Sequence, residues 1–89
     1  MVGAELDEQT AQELQDRLAR IEGQVRGIRR MLEEHRQCHE VLTQVLAAHA
    51  ALEKVAGAMV NASLEECLLL PPEEARAIIS ANVKLLAHI

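Results

Sequence analysis

Three side chains in the stretch HRQCHE (35–40) have the chemistry to bind a soft metal or react with an electrophile: His35, Cys38 and His39. At i, i+3 and i+4 they would share one face of a helix. A metal site, a redox thiol and an ordinary helical turn all fit that spacing. The second cysteine, Cys67, lies 29 residues further on. On one helix the two thiols would stand about 43 Å apart, too far to meet within the chain. At roughly 100° per residue, however, 29 residues return to nearly the same face. Two copies packed antiparallel, with an axis near Leu52 and Glu53, would bring Cys38 of one chain to Cys67 of the other. Ser63 falls on that face too. The candidate site is thus Cys38 with Ser63 and Cys67 of the partner subunit, and His35 and His39 nearby. Two buried thiols acting as small hydrophobic groups fit the spacing equally well. His49, near the same axis, reads as an interface histidine satisfied by a partner rather than as a ligand.

Helices must position these groups. Thr10 and Glu13 form a T-x-x-E capping box that would open the first. Leu14, Leu18, Ile21, Val25, Ile28 and Leu32 follow at alternating steps of four and three, a heptad seam that packs on another helix. Leu42, Val45, His49, Leu52, Ala56, Met59 and Ser63 make a second such stripe, and a turn is expected near 35–38. Pro71-Pro72 ends the second helix at or before Leu70. A third helix follows, with Pro72 at its start, Glu73 and Glu74 in the first turn, and Lys84 and His88 near the end. The expectation is a single all-α domain over 1–89, with residues 1–10 flexible. Gly23 and Gly27, roughly opposite the first seam, would suit close helix contact in an oligomer or close approach to a phosphate backbone.

Of the 89 residues, 49% are hydrophobic and none is aromatic. An aliphatic surplus of this size on so short a chain points to self-association. Two cysteines are too few for a disulfide scaffold and fit a reducing cytoplasm. The polar, acidic start MVGAELDEQT does not resemble a secretion signal, and no apolar run is long enough for a membrane span. The net charge is −5, but residues 17–36 carry +3 and the remainder −8. The positive stretch contains Arg17, Arg20, Arg26, Arg29, Arg30 and Arg36. Arginine forks suit phosphates and base edges. On charge alone, a solvated helix face with internal ion pairs explains them better.

RLARIEGQVRGIRRMLEEHRQC (17–38) resembles the first helix of the copper-sensing operon repressor (CsoR) family. VLTQVLAAHAALEKVAGAMV (41–60) is similar to the start of its second. The resemblance spans about 14–67. It implies three-helix protomers in a dimer of dimers, a homotetramer that binds operator DNA without a helix-turn-helix. The positions matching the family's DNA contacts are Arg17 and Lys54, with Arg20, Arg26, Arg29 and Arg30 as further candidates. It also implies an inducer site joining the cysteine at the start of helix 2 to two positions on the partner's helix 2. Copper sensors place cysteine, histidine and cysteine there. This chain has Cys38, and Ser63 and Cys67 of the partner subunit, with Gln37 where a tyrosine often precedes the first cysteine.

A serine hydroxyl is a poor ligand for soft Cu(I). Two thiols without the histidine resemble the persulfide-sensing branch. The leading expectation is therefore a cytoplasmic repressor, with no required cofactor, released when reactive sulfur bridges Cys38 and Cys67 of the partner subunit. The alternative is a Cu(I) sensor using the same two thiols, with His35 or His39 as a third ligand. A structural helical oligomer with inert cysteines ranks third. No nucleophile–base pair, phosphate loop or H-E-x-x-H motif suggests an enzyme.

Overall fold

The computed structural model describes residues 6–87, and these form three helices in the order α1 (Glu8–Glu33), α2 (Cys38–Cys67) and α3 (Pro72–Leu86). No strand occurs among the described residues. The start of α1 differs from the expected capping box. Asp7, not Thr10, is the N-cap, and its carboxylate accepts from the Thr10 backbone N–H at 2.7 Å. Asp7 satisfies one of the first turn's free N–H groups, and Glu8 adds a favourable charge at the same end. The earlier start also lets Leu6, just before the cap, pack on the hydrophobic core. Residues 8–10 are helical, and residues 1–5, where the first half of the expected flexible segment falls, lie outside the described residues.

The first turn covers residues 34–37, one residue before the 35–38 read from the sequence, and Cys38 is already helical. His35 has φ 57°, the left-handed conformation. Its N–H donates to the Leu32 carbonyl at 3.2 Å, and the Arg36 N–H reaches back to Met31 at 3.0 Å. This pattern is a Schellman motif, in which a left-handed residue turns the chain back on the last free carbonyls. The second connection is tighter. The N–H groups of Leu68, Leu69 and Leu70 donate to Glu65, Glu66 and Cys67, and Pro71-Pro72 then starts α3. Glu73 and Glu74 lie in the first turn of α3 and Lys84 in its last. His88 is outside the described residues.

α1 packs on α2 and α2 on α3, while α3 makes no packing contact with α1. The main cluster is Leu14, Ile21 and Val55, with Leu6, Ala51 and Ala58 against it. The heptad stripes divide. On α1, Leu14 and Ile21 are buried, whereas Leu18, Val25 and Leu32 are exposed. On α2, Val41, Ala48 and Val55 are buried at steps of seven, and Cys67 is buried at the end of the helix. The stripe read from the sequence is the neighbouring face, where Leu42, Val45, Leu52 and Met59 remain exposed. The folded chain is long, 54 × 27 × 17 Å, with a radius of gyration of 16.8 Å against about 12 Å for a compact domain of this length. It exposes 7127 Å², some 1,900 Å² more than the roughly 5,200 Å² of a folded monomer of this mass. At Gly23 and Gly27 a Cβ would meet nothing within 4 Å, so neither glycine serves contact inside the protomer.

Candidate thiol site and nucleic-acid interface

The two cysteines are the first and last residues of α2. Thirty residues of unbroken helix hold them about 43 Å apart. Both thiols are free, Cys38 exposed and Cys67 buried. Cys38 is at the positive end of the α2 dipole, where Gln37 is the N-cap but provides no side-chain bond. The expected one-face arrangement of His35, Cys38 and His39 does not occur. His35 belongs to the left-handed turn outside both helices, because α1 needs that turn to reverse direction. His39 follows Cys38 on α2, about 100° further round. Arg36, whose charge the sequence sets beside Cys38, is held by Glu40, Nη2 to Oε2 at 2.7 Å, with Glu34 at 3.9 Å. Among the described residues, no three His, Cys, Asp or Glu side chains of one protomer stand close enough to hold a metal ion.

The other end of α2 is covered. Cys67 is 7% exposed, with Sγ 3.8 Å from the Ala75 carbonyl of α3. One turn earlier, the Ser63 hydroxyl accepts from the Asn82 amide at 3.0 Å. Asn82 escaped the sequence reading. Its one visible signal was a polar residue on the apolar side of α3, three and four residues from Ile79 and Ile78. His49 is paired within its own helix, Nε2 to Glu53 Oε1 at 2.9 Å, and both side chains are more than half exposed.

The arginines of α1 do not form the internally paired face that charge alone favoured. Among the described residues only Arg36 has an acidic partner from this cluster, and Arg17, Arg20, Arg26, Arg29 and Arg30 have none. They lie on two sides of the helix. Taking about 100° per residue, Arg17 and Arg20 fall within about 60° of each other, and Arg26, Arg29 and Arg30 on the far side. Val55 packs with Leu14 and Ile21, which sets Lys54 of α2 at the level of Arg17. All six side chains are exposed.

The family model for metal-sensitive transcriptional repressors matches residues 10–88. The chain belongs to this family. The match reaches through α3, beyond the 14–67 of the sequence resemblance, and the family is one of repressors, not of enzymes. The copper-sensing transcriptional repressor RicR of Mycobacterium tuberculosis is 50% identical over 52 residues, 58% of this chain and 54% of that protein. The copper-sensing transcriptional repressor CsoR of Bacillus subtilis is 41% identical over 56 residues, 63% and 55% of the two chains. The transcriptional repressor RcnR of Salmonella typhimurium is 32% identical over 65 residues, 73% and 72%. The chain thus spans about half the length of the two copper sensors. No described helix is long and apolar enough to cross a membrane.

Proposed function

We propose that this metal-sensitive repressor binds operator DNA in the cytoplasm as a homo-oligomer of antiparallel pairs. In this reading Cu(I) releases it by joining Cys38 to Cys67 of the partner subunit. The observation that carries the reading is the placement of the thiols at the two ends of one helix, with an exposed apolar stripe between them. Leu42, Val45, Leu52 and Met59 give α2 a surface to pair with its own copy, and the surplus of exposed area is in the range an obligate interface buries per subunit. Antiparallel pairing makes two identical sites per dimer, each of which needs both chains. Two thiolates are soft donors that suit Cu(I) in a two-coordinate mode, and the names of the copper-sensing relatives favour that ion. His39 or His35 beside Cys38 would offer a third donor. The free Arg17, Arg20 and Lys54 would grip phosphates, and Arg26, Arg29 and Arg30 extend the positive surface on the other side of α1. The whole chain, 1–89, then works as one sensor domain.

One observation favours the other inducer. The hydroxyl of Ser63 is neutral, hard and already engaged by Asn82, so position 63 offers copper nothing. Reactive sulfur needs only the two thiols. The Cys38 thiolate takes the terminal sulfur of a persulfide and releases the parent thiolate. The Cys67 thiolate of the partner subunit then displaces hydrosulfide to close a disulfide. Either inducer acts only through a difference in affinity between the DNA-bound and the released shapes.

The test is an anisotropy titration on a duplex selected by this protein from a random pool. Stoichiometric Cu(I) should release the duplex from wild type and from neither Cys38→Ser nor Cys67→Ser. Persulfide should give a thiol-reversible covalent dimer only if the second inducer is the physiological one. Release by persulfide with no response to Cu(I) would overturn the copper reading. Failure of both would remove the thiols from the mechanism.

A further inference from the structure

We propose that α3 is a lid over the second thiol, latched by Asn82 on Ser63, and that Cys67 becomes available only when the latch opens. The proposal deepens the reading of Cys67 as an inducer thiol. Ser63 and Cys67 are one turn apart on the same face of α2. Opposite them, α3 runs in the reverse direction: the Ala75 carbonyl lies over Cys67 and Asn82 over Ser63. Ile78, between these two, is the one buried residue of α3. The face 75–78–82 is therefore what closes the end of α2, and it makes Cys67 buried while Cys38 at the other end is exposed.

The lid is lightly held. α3 touches α2 and not α1, and Ile79, Val83, Leu85 and Leu86 remain exposed. Ser63–Asn82 is the only hydrogen bond between two side chains that joins α2 to α3 among the described residues, and Cys67 to the Ala75 carbonyl is the one other bond from a side chain. The contact between Cys67 and Ala75 is directional as well, since the S–H is the donor and a carbonyl can only accept. A sulfur that has given up its proton to bind a metal or to form a sulfur bridge has nothing to donate there, and two electron-rich atoms would face each other. Engagement of Cys67 and closure of α3 therefore oppose each other. Asn82 is a positioning residue that sets how readily Cys67 is engaged, and it does so through Ser63.

Timed alkylation of the full chain with iodoacetamide tests this without any inducer. The protein is kept reduced, and the modification of Cys38 and Cys67 is counted on separate peptides. Asn82→Ala and Ser63→Ala should each speed Cys67 by about three- to tenfold, the range of one net hydrogen bond, and leave Cys38 unchanged. The double variant should be no faster than either single, because the two remove the same contact. Asn82→Asp should keep Cys67 slow, since the Ser63 hydroxyl can donate to a carboxylate. Ser80→Ala, on the exposed side of α3, should have no effect, and circular dichroism should report unchanged helix in all variants. Equal Cys67 rates in wild type and the three latch variants would overturn the proposal, as would additive acceleration in the double variant or a rise in the Cys38 rate alongside. A latched Cys67 in a protein deaf to Cu(I) would end the functional reading and leave the lid intact. An unlatched Cys67 in a Cu(I)-responsive protein would do the reverse.

Discussion

Replacing Leu52 with glutamate asks whether the free stripe of α2 meets a second copy of itself. Leu52 is 48% exposed in the protomer, so about half of its side chain stands in water. Full burial of a leucine stabilises by roughly 1.5–3 kcal/mol, and covering the exposed half by about 1 kcal/mol. In an antiparallel pair with both thiol sites formed, the two-fold axis passes between residues 52 and 53. Each Leu52 then lies beside the axis and is lost twice, about 2 kcal/mol per dimer. The new carboxylates would also approach Glu53 of the opposite helix in two symmetric pairs, each adding about 0.5 kcal/mol of repulsion at about 8 Å in water, about 1 kcal/mol per dimer. Together these weaken the dimer by about 3 kcal/mol, or roughly 150-fold in Kd. Sedimentation velocity across a dilution series measures it. Wild type should keep its oligomeric mass at concentrations where Leu52→Glu falls to the protomer mass or loses helix. Ala47→Glu, on the far side of α2 from the stripe, should behave as wild type. An unchanged mass for Leu52→Glu throughout the series would refute the antiparallel α2 pair, and with it the site built from both chains.

Other outcomes follow from single features. Asp7→Ala removes the N-cap of α1 and should lower the unfolding midpoint in thermal denaturation. The Thr10 backbone N–H holds the Asp7 carboxyl below its ordinary 3.8, so this contribution is full above that value and is lost as pH falls through the lowered one. The acid limb of the wild-type stability curve should therefore flatten in Asp7→Ala. His35→Gly relieves a left-handed residue at the α1–α2 turn, partly offset by the freer unfolded chain. A gain of about 0.5 kcal/mol is expected, a midpoint rise of roughly 2–4 °C, and Cu(I) binding should persist unless His35 is a ligand. Arg17→Ala and Lys54→Ala should each reduce the salt slope of DNA binding by about one unit if each holds one phosphate. A full slope in both, with a reduced one in Arg29→Ala or Arg30→Ala, would move the DNA to the other side of α1.

The end of α2 and the start of α3 were legible because they depend on local rules. Pro71-Pro72 cannot continue a helix, and the third helix begins at the second of them. The turn at 34–37 follows from needing something for α1 to pack on. Two local readings failed for equally physical reasons. Thr10 lost the cap to Asp7, which accepts from the Thr10 N–H, starts the helix one turn earlier and brings Leu6 onto the core. HRQCHE reads as one helical face only if it is helical throughout, and His35 is where the backbone reverses.

The sequence by itself determined that α2 carries a four-three apolar stripe with a cysteine at each end, and helical geometry alone forbade those cysteines from meeting within one chain. It could not say which apolar face lies inside the protomer. α2 is rich in alanine and valine on two adjacent faces, and hydrophobic periodicity reports that a face avoids water without naming what covers it. Only the tertiary structure buried Val41, Ala48 and Val55, the last against α1, and left Val45, Leu52 and Met59 exposed. It alone also made the two thiols unequal. Burial of Cys67 and the bond from Asn82 to Ser63 depend on α3 folding back antiparallel onto α2, a contact between residues 19 apart that no local pattern encodes.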